Sequence, residues 1–231
     1  GHPISSNIQP KTRDVISFKR NLSINDSAKI VTILPGSRIS ELHRMLPIFL
    51  KTATLLNARF ANIVFICPTP KVVEKSYKEL VSKNNIKIVH ISAESVSSDQ
   101  FEKLKKSLYA CSDLALVTSG TVVLELAKAS VPMIVGYRAG LLTEIIYRLF
   151  IKVSSANLVN LITKRNDIPE FLFSSCNSKN LYNEAKDLLE NKKRAETQLI
   201  SSKQAIRELG YGSIDPSVRA AKSIKKFFKS N

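Results

Sequence analysis

Two turns in this sequence place small, hydroxyl and cationic residues directly after apolar runs of strand length. The first run, residues 30–34, ends in the turn 35–38 (PGSR), and the second run, residues 114–117, ends in the turn 118–121 (TSGT). A helical pattern follows each turn. Where a strand, a tight turn and a helix N-terminus meet, unpaired backbone N–H groups and the positive end of the helix dipole point at one place. Both turns are therefore suited to binding a phosphate group.

The second turn offers several ligand groups. Gly120 lets the backbone approach a ligand closely, and Ser119 and Thr121 supply hydroxyls that can act as helix caps or as ligands. Glu125 lies one helical turn further on, where its carboxylate can accept hydrogen bonds from a ribose diol. An ordinary strand-to-helix turn with a capping hydroxyl and a solvated carboxylate explains the same residues, so both interpretations stay open on this stretch alone.

The first turn presents an arginine. Gly36 permits the change of direction, and Ser37 or Ser40 is expected to cap the helix that follows. Arg38 then lies at the carboxyl end of the strand, where its planar guanidinium suits bidentate binding of a diphosphate. An exposed loop arginine without a ligand is the alternative. Pro47 lies inside the helical pattern, so the helix either kinks there or begins near it.

The elements that position these turns alternate along the chain. Predicted strands cover residues 30–34, 63–67, 86–91, 114–117 and 133–137, and helical patterns fill the intervals. Short, continuously apolar strands separated by helices predict a parallel sheet covered on both faces, that is, a doubly wound, Rossmann-like α/β domain. Ligands of such sheets bind beyond the carboxyl ends of the strands, so we expect the two turns to open side by side.

The remaining segments define a provisional domain organisation. Residues 1–28 are polar and basic with little periodicity and predict a linker, residues 29–177 form the Rossmann-like domain, and residues 178–231 add C-terminal helices. Residues 141–152 are helical in pattern and apolar on more than one side, which fits burial in a core or contact with a lipid or acyl chain. Residues 217–228 end in a pair of Phe residues among lysines. This segment could dock on a neighbouring domain or on an anionic membrane, or it could simply be a basic helix C-terminus.

Composition restricts the partners and the compartment. The chain has 231 residues and a formal net charge of +16, which favours anionic partners such as nucleic acid, phosphorylated ligands or an anionic membrane face. Cys67, Cys111 and Cys176 are few and lack metal-ligand spacing, which indicates a reducing compartment and argues against zinc. No apolar segment approaches the roughly 20 residues of a membrane span and no signal peptide opens the chain, so the cytoplasm is expected.

One amide stands out near the end of the predicted domain. Asn160 lies between apolar residues that resemble a strand. A buried amide costs stability unless it is hydrogen-bonded, so Asn160 needs either a sugar hydroxyl or a backbone group as its partner. The sequence alone does not show which of these two partners Asn160 has.

Five motifs in register carry a family resemblance. They are LPGSR (34–38) with SE (40–41) and LP (46–47), SGT (119–121) with Glu125, PMIVGYR (132–138), LVNLI (158–162) and IPEFL (168–172). In this order they resemble the C-terminal half of bacterial lipid-A-disaccharide synthase. The resemblance runs from Gly1-His2-Pro3 to the C-terminal helices.

The resemblance implies a two-domain glycosyltransferase of the GT-B type. Such an enzyme transfers 2,3-diacylglucosamine from UDP to 2,3-diacylglucosamine 1-phosphate, with inversion and without a metal or other cofactor. Its C-terminal half holds the UDP part of the donor. The preceding domain, with the acceptor site and the expected carboxylate base, is missing here, so we expect this chain to be an inactive piece of an enzyme peripheral to the cytoplasmic face of the inner membrane.

The resemblance also assigns roles to residues. It implies that Arg38, beside Gly36 and Ser37, clamps an anion and stabilises the leaving UDP, while Ser119, Gly120 and Thr121 bind the diphosphate, Glu125 binds the ribose, and Arg138, Asn160 and Glu170 line the donor side of the cleft. Another GT-B UDP-sugar enzyme, such as a MurG-like transferase or a UDP-sugar epimerase, is one alternative. A basic nucleic-acid-binding module is another, although no recognisable nucleic-acid motif supports it.

Overall fold

A six-stranded parallel sheet organises the part of the chain that the computed structural model describes, residues 10–140 and 155–210 with the single positions 218, 221 and 225. The strands are β1 (Lys29–Leu34), β2 (Ile63–Thr69), β3 (Ile88–Ser92), β4 (Leu114–Thr118), β5 (Met133–Tyr137) and β6 (Glu170–Leu172), and their order is β3-β2-β1-β4-β5-β6. Every neighbouring pair is parallel. The predicted Rossmann-like fold class is confirmed, with β6 added to the five predicted strands.

Helices cover both faces of the sheet. They are α1 (Thr12–Asn21), α2 (Ile39–Arg59), α3 (Glu74–Val81), α4 (Ser98–Ala110), α5 (Val122–Lys128), α6 (Leu158–Thr163), α7 (Ser178–Glu190) and α8 (Lys192–Glu208). Side chains of α2, α3 and α7 pack in one core, and side chains of α1, α4, α5, α6 and α8 pack in the other. The two cores form because successive residues of a strand point to opposite faces: Val31 and Ile33 enter the α2 core, whereas Ile30 and Leu34 enter the other.

Helix α2 is the longest element and sets the position of the first turn. Its buried residues recur at helical spacing on the face that packs against the sheet. The helix begins at Ile39 and continues through Pro47 to Arg59, so a start near Pro47 is excluded.

Two local predictions are wrong. Residues 12–21, predicted as linker, form α1, because Val15, Phe18 and Leu22 recur at helical spacing and Phe18 is buried against the α4 side of the sheet. The strand-like stretch 158–162 is helical instead. Asn157 caps α6 by accepting the Val159 N–H at 2.8 Å, which favours a helix start that the apolar pattern did not show.

The C-terminal helices in the described part pack onto the sheet domain. Helix α7 packs on α2, and α8 packs on α5 and α6. Gln198 of α8 accepts the N–H of Met133 at 2.9 Å, which ties α8 to the start of β5. The predictions for residues 141–152 and 217–228 fall outside the described residues, except for isolated helical positions. No helix in the described ranges combines the length and the apolar character that a membrane span needs.

Candidate functional site

Both turns singled out in the sequence line one cavity at the carboxyl edge of the sheet. Its volume is about 440 Å³, and small-molecule sites commonly measure about 300–1,000 Å³. Its walls include seven predicted residues: Gly36, Ser37, Arg38, Ser119, Gly120, Thr121 and Glu125. The turns meet because β1 and β4 are hydrogen-bonded neighbours, with Leu34 beside Val117. The predicted juxtaposition is present, and the roles of these residues as ligands stay predictions.

The first turn depends on Gly36. Its φ of +110° lies in a region that residues with a side chain rarely adopt. A Cβ atom at this position would also lie 2.6 Å from the Cβ of Glu41 and 2.6 Å from its Oε2. Glycine is therefore required both by the backbone conformation and by the close approach of Glu41.

Glu41 holds the groups that the first turn would offer to an anion. Its Oε2 accepts the N–H of Ser37 at 3.2 Å and the N–H of Arg38 at 3.4 Å, and its Oε1 lies 2.8 Å from Nη1 of Arg38. Capping of α2 by Ser37 or Ser40 is therefore wrong, because Arg38 is the N-cap residue and the Glu41 carboxylate binds the free N–H groups. The carboxylate occupies the place where an anionic ligand would contact these donors.

The second turn is more open. Ser119 donates its hydroxyl to the carbonyl of Ala156 at 2.7 Å, so this hydroxyl is used to fix a neighbouring loop. Thr121 precedes α5, and its side chain makes no capping hydrogen bond. A Cβ atom on Gly120 would meet nothing within 4 Å, which leaves room for a ligand to approach the backbone.

Sequence reasoning missed the wall formed by α4. Phe101, Lys105 and Tyr109 lie four residues apart on one helix face and all line the cavity. That spacing before β4 was the signal that could have found them. Lys105 Nζ lies 3.4 Å from Oε2 of Glu125, so the predicted ribose ligand already has a cationic neighbour.

Two residues that line this cavity carry a buried hydroxyl without a hydrogen-bond partner. Within the described part of the chain, the hydroxyls of Tyr109 and Thr118 make no hydrogen bond, although both residues are buried. Burial raises the pKa of the Tyr109 phenol well above its usual value, so the hydroxyl keeps its proton and can donate. Buried polar atoms are normally satisfied, so these two hydroxyls are exceptions among the described residues.

Glu170 lies behind the second turn, outside the cavity wall. Its carboxylate accepts the N–H of Ala156 at 2.8 Å and the N–H of Asn157 at 3.1 Å, and it also binds the Ser155 hydroxyl. These contacts hold the loop whose Ala156 carbonyl fixes Ser119. Glu170 is thus placed to position the second turn through this loop.

Asn160 joins the same network. Its Nδ2 donates to the Ile168 carbonyl at 2.8 Å and to Oε1 of Glu170 at 3.0 Å, and its Oδ1 accepts the Ile168 N–H at 3.1 Å. The side chain is buried and has backbone partners, which is one of the two alternatives that its sequence left open. Arg138 is not in the cavity either, because it lines a separate groove with His43, Arg44 and Lys51.

Comparison with solved structures identifies the type of fold. A glycosyltransferase from Rickettsia africae aligns with a TM-score of 0.60 at 12% identity, over 98% of this chain and 54% of the other. A UDP-GlcNAc 2-epimerase from Neisseria meningitidis, solved with UDP-GlcNAc, aligns with a TM-score of 0.52 at 14% identity, over 86% of this chain and 49% of the other. At such identities the likeness shows the fold alone, a Rossmann-like domain of the kind found in GT-B glycosyltransferases.

Sequence comparison gives the family. The model of the Lipid-A-disaccharide synthetase family matches residues 1–224. The lipid-A-disaccharide synthase of Rickettsia prowazekii is 32% identical over 231 residues, which cover 99% of this chain and 57% of the relative. That of Rhodospirillum centenum is 33% identical over 224 residues, which cover 97% of this chain and 54% of the relative. The chain belongs to the lipid-A-disaccharide synthase family and spans a little over half the length of these relatives.

Proposed function

We propose that this chain binds the UDP part of UDP-2,3-diacylglucosamine and forms the donor half of a lipid-A-disaccharide synthase. The observation that carries the proposal is the meeting of the Arg38 turn and the Ser119 turn around one cavity. Family membership supports the identity of the donor. The whole enzyme would transfer the sugar to 2,3-diacylglucosamine 1-phosphate.

Each wall of the cavity has a task in this proposal. The diphosphate lies between the start of α2 and Gly120, where it receives the N–H groups of the first turn and the guanidinium of Arg38. The ribose diol reaches Glu125.

Arg38 then assists the departure of UDP. In an inverting transfer the acceptor hydroxyl attacks the anomeric carbon, the bond from that carbon to the UDP oxygen breaks, and a base takes the hydroxyl proton. Negative charge grows on the diphosphate, and a guanidinium held beside it stabilises this charge more in the transition state than in the ground state. We propose that this cation and the backbone donors do so without a metal ion.

We propose that the base and the acceptor site belong to the part of the relatives' length that this chain does not span. We also propose that the enzyme works in the cytoplasm at the inner face of the inner membrane, because both sugar substrates carry acyl chains and the net charge of +16 favours an anionic surface.

Calorimetric titration with UDP tests the site. Arg38→Ala and Glu125→Ala should each weaken binding by about 10- to 100-fold, because each removes charge-assisted hydrogen bonds. Arg59→Ala is the matched control for Arg38, since Arg59 lies at the other end of α2 and pairs with Glu190 at 2.7 Å. Glu102→Ala is the control for Glu125, since both carboxylates contact Lys105. Unchanged affinity in both site variants would remove the assignment.

Two other functions compete with this one. The fold is shared with a UDP-GlcNAc 2-epimerase, so another UDP-sugar enzyme is the first competitor, and a panel of UDP-sugars offered to the full-length enzyme would reveal it. The net charge of +16 motivates a nucleic-acid-binding module as the second. DNA or RNA binding that is tighter than UDP binding and falls steeply with salt would favour that module.

A further inference from the structure

A second concavity in the structure is walled by cations. It has a volume of about 610 Å³ and lies between α2, the loop after β5 and the start of α7. His43, Arg44 and Lys51 of α2 face Arg138 of the loop across it. No residue that lines this groove also lines the candidate UDP cavity, so the two sites are separate.

The four basic side chains converge because of local geometry. His43 and Lys51 lie eight residues apart on α2 and therefore share one face of the helix. Arg44 reaches toward the loop, since its Nη2 lies 3.6 Å from the position that a Cβ on Gly140 would take. The loop leaves β5 at its carboxyl end and brings Arg138 to the same rim.

This group of basic side chains has no counter-charge among the residues that the structure describes. The described residues lining the groove include no carboxylate, and none of the four basic side chains forms an ion pair with a described residue. Some arginines elsewhere do have a carboxylate partner, such as Arg38 with Glu41 and Arg59 with Glu190. Holding like charges together is unfavourable, and a bound anion removes that cost.

The groove's affinity for an anion has to come from these side chains. Asn177 also lines the groove, but its Oδ1 already accepts the N–H of Asn180 at 3.0 Å and so caps α7. One N–H group of the helix start is therefore bound without a ligand. Arginine and lysine together match a compact, multiply charged oxyanion, since guanidinium groups bind phosphate oxygens in pairs and lysine adds a point charge.

We propose that the groove formed by His43, Arg44, Lys51 and Arg138 is a second anion site that binds a phosphate monoester. The phosphate is carried either by a soluble sugar phosphate or by a lipid headgroup at a bilayer surface. The proposal does not require that UDP bind in the other cavity.

The test uses the whole chain and two double variants. Lys51→Gln with Arg138→Gln removes two groove cations, and both side chains are exposed, so folding should be retained. Lys83→Gln with Lys87→Gln removes the same charge from exposed positions before β3, at the opposite edge of the sheet. Each protein is titrated with glucose 1-phosphate while backbone amide NMR shifts are followed. Each is also sedimented with phosphatidylcholine vesicles that contain phosphatidic acid.

The proposal predicts that the groove variant loses affinity for the phosphate ligand and that the control variant does not. Glucose 1-phosphate should shift the amides of residues 43–51 and 138–140, and the groove variant should bind it about tenfold more weakly than the control variant. If only vesicle binding distinguishes the two variants, the groove is still the site and the phosphate comes from a bilayer. Equal behaviour of the two variants in both titrations would overturn the proposal, as would sugar phosphate shifts confined to the turns at 36–38 and 118–121.

Discussion

Arg38 and Glu41 bind each other at the start of α2, with 2.8 Å between Nη1 of the arginine and Oε1 of the glutamate. The second carboxylate oxygen accepts the N–H groups of Ser37 and Arg38. In the proposed site a diphosphate needs these same donors. Binding therefore has to displace an internal carboxylate, and the affinity for UDP reflects this competition.

Replacing Glu41 tests the competition directly. Glu41→Gln should strengthen UDP binding by about two- to tenfold, because the amide oxygen still accepts a hydrogen bond but no longer carries the charge that opposes the phosphate. The same change should lower the free energy of unfolding by about 0.5–1 kcal/mol, because the start of α2 loses a favourable carboxylate. Calorimetry and urea unfolding measure the two effects. Weaker UDP binding would show that Glu41 does not compete with the ligand.

The two turn glycines should respond differently to alanine. Gly36→Ala should destabilise the protein by about 1–3 kcal/mol, since it combines a positive φ with a 2.6 Å approach to Glu41. Gly120→Ala should change the free energy of unfolding by less than about 0.5 kcal/mol, since its Cβ would meet no protein atom within 4 Å. It should nevertheless weaken UDP binding by filling the space above the backbone. Full UDP affinity in a stable Gly120→Ala protein would argue against a diphosphate at this turn.

Glu170 should affect UDP binding indirectly, by holding the loop at residues 155–157. Glu170→Ala removes the acceptor of the Ala156 and Asn157 N–H groups and should cost about 1–3 kcal/mol of unfolding free energy. UDP affinity should fall less than it does in Arg38→Ala, because Glu170 does not line the cavity. Glu170→Gln keeps an acceptor and should restore part of both losses. A fall in affinity as large as that of Arg38→Ala, without loss of stability, would instead indicate direct contact with the ligand.

The stability of the fold should decrease toward acid pH because of Glu74 and His90. Burial lowers the pKa of His90 below 6.5, so the unfolded chain takes up a proton first and stability falls as the pH drops through 6.5. Burial tends to raise the pKa of Glu74, but hydrogen bonds from Ser92 and Lys78 outweigh it and the pKa ends below 4.5, so stability falls again below that pH.

Urea unfolding at several pH values separates these two contributions. His90→Gln should flatten the stability curve just below pH 6.5, and Glu74→Gln should flatten it below about pH 4.5. Lys83→Gln is the control, because Lys83 is exposed and lies between Glu74 and His90 in the sequence. It should leave the shape of the stability curve unaltered. A curve for His90→Gln that matches the unmutated protein would contradict the assignment.

Five of the six strands of the sheet and the meeting of the two turns could be predicted from the sequence. Alternating apolar strands and helices predict parallel pairing, and the rule that ligands bind beyond the strand ends brings Arg38 and Ser119 together. Helix α1 was missed because it buries a single large side chain, Phe18, and so has a weak periodic signal. Asn160 was placed in a strand because the Asn157 cap that starts α6 was not recognised.

The other contacts of the site depend on how side chains from distant elements meet in three dimensions. The hydrophobic periodicity of the sequence does not show this. Glu41 contacts Arg38 only because Gly36 adopts a positive φ and lets the carboxylate close over the turn. The four-residue spacing of Lys105 and Tyr109 shows that they share a face of α4, but it does not show that this face meets the two turns at the cavity. Glu170 reaches the second turn through hydrogen bonds to a loop that is distant in sequence.

The central claim is that the Arg38 turn and the Ser119 turn bind one UDP molecule together. Backbone amide NMR during a UDP titration tests this most directly. The account predicts that the amides of residues 36–38 and 119–121 shift along one saturation curve, with a single dissociation constant and one UDP per chain. Shifts at only one turn, or two different dissociation constants for the two turns, would contradict it.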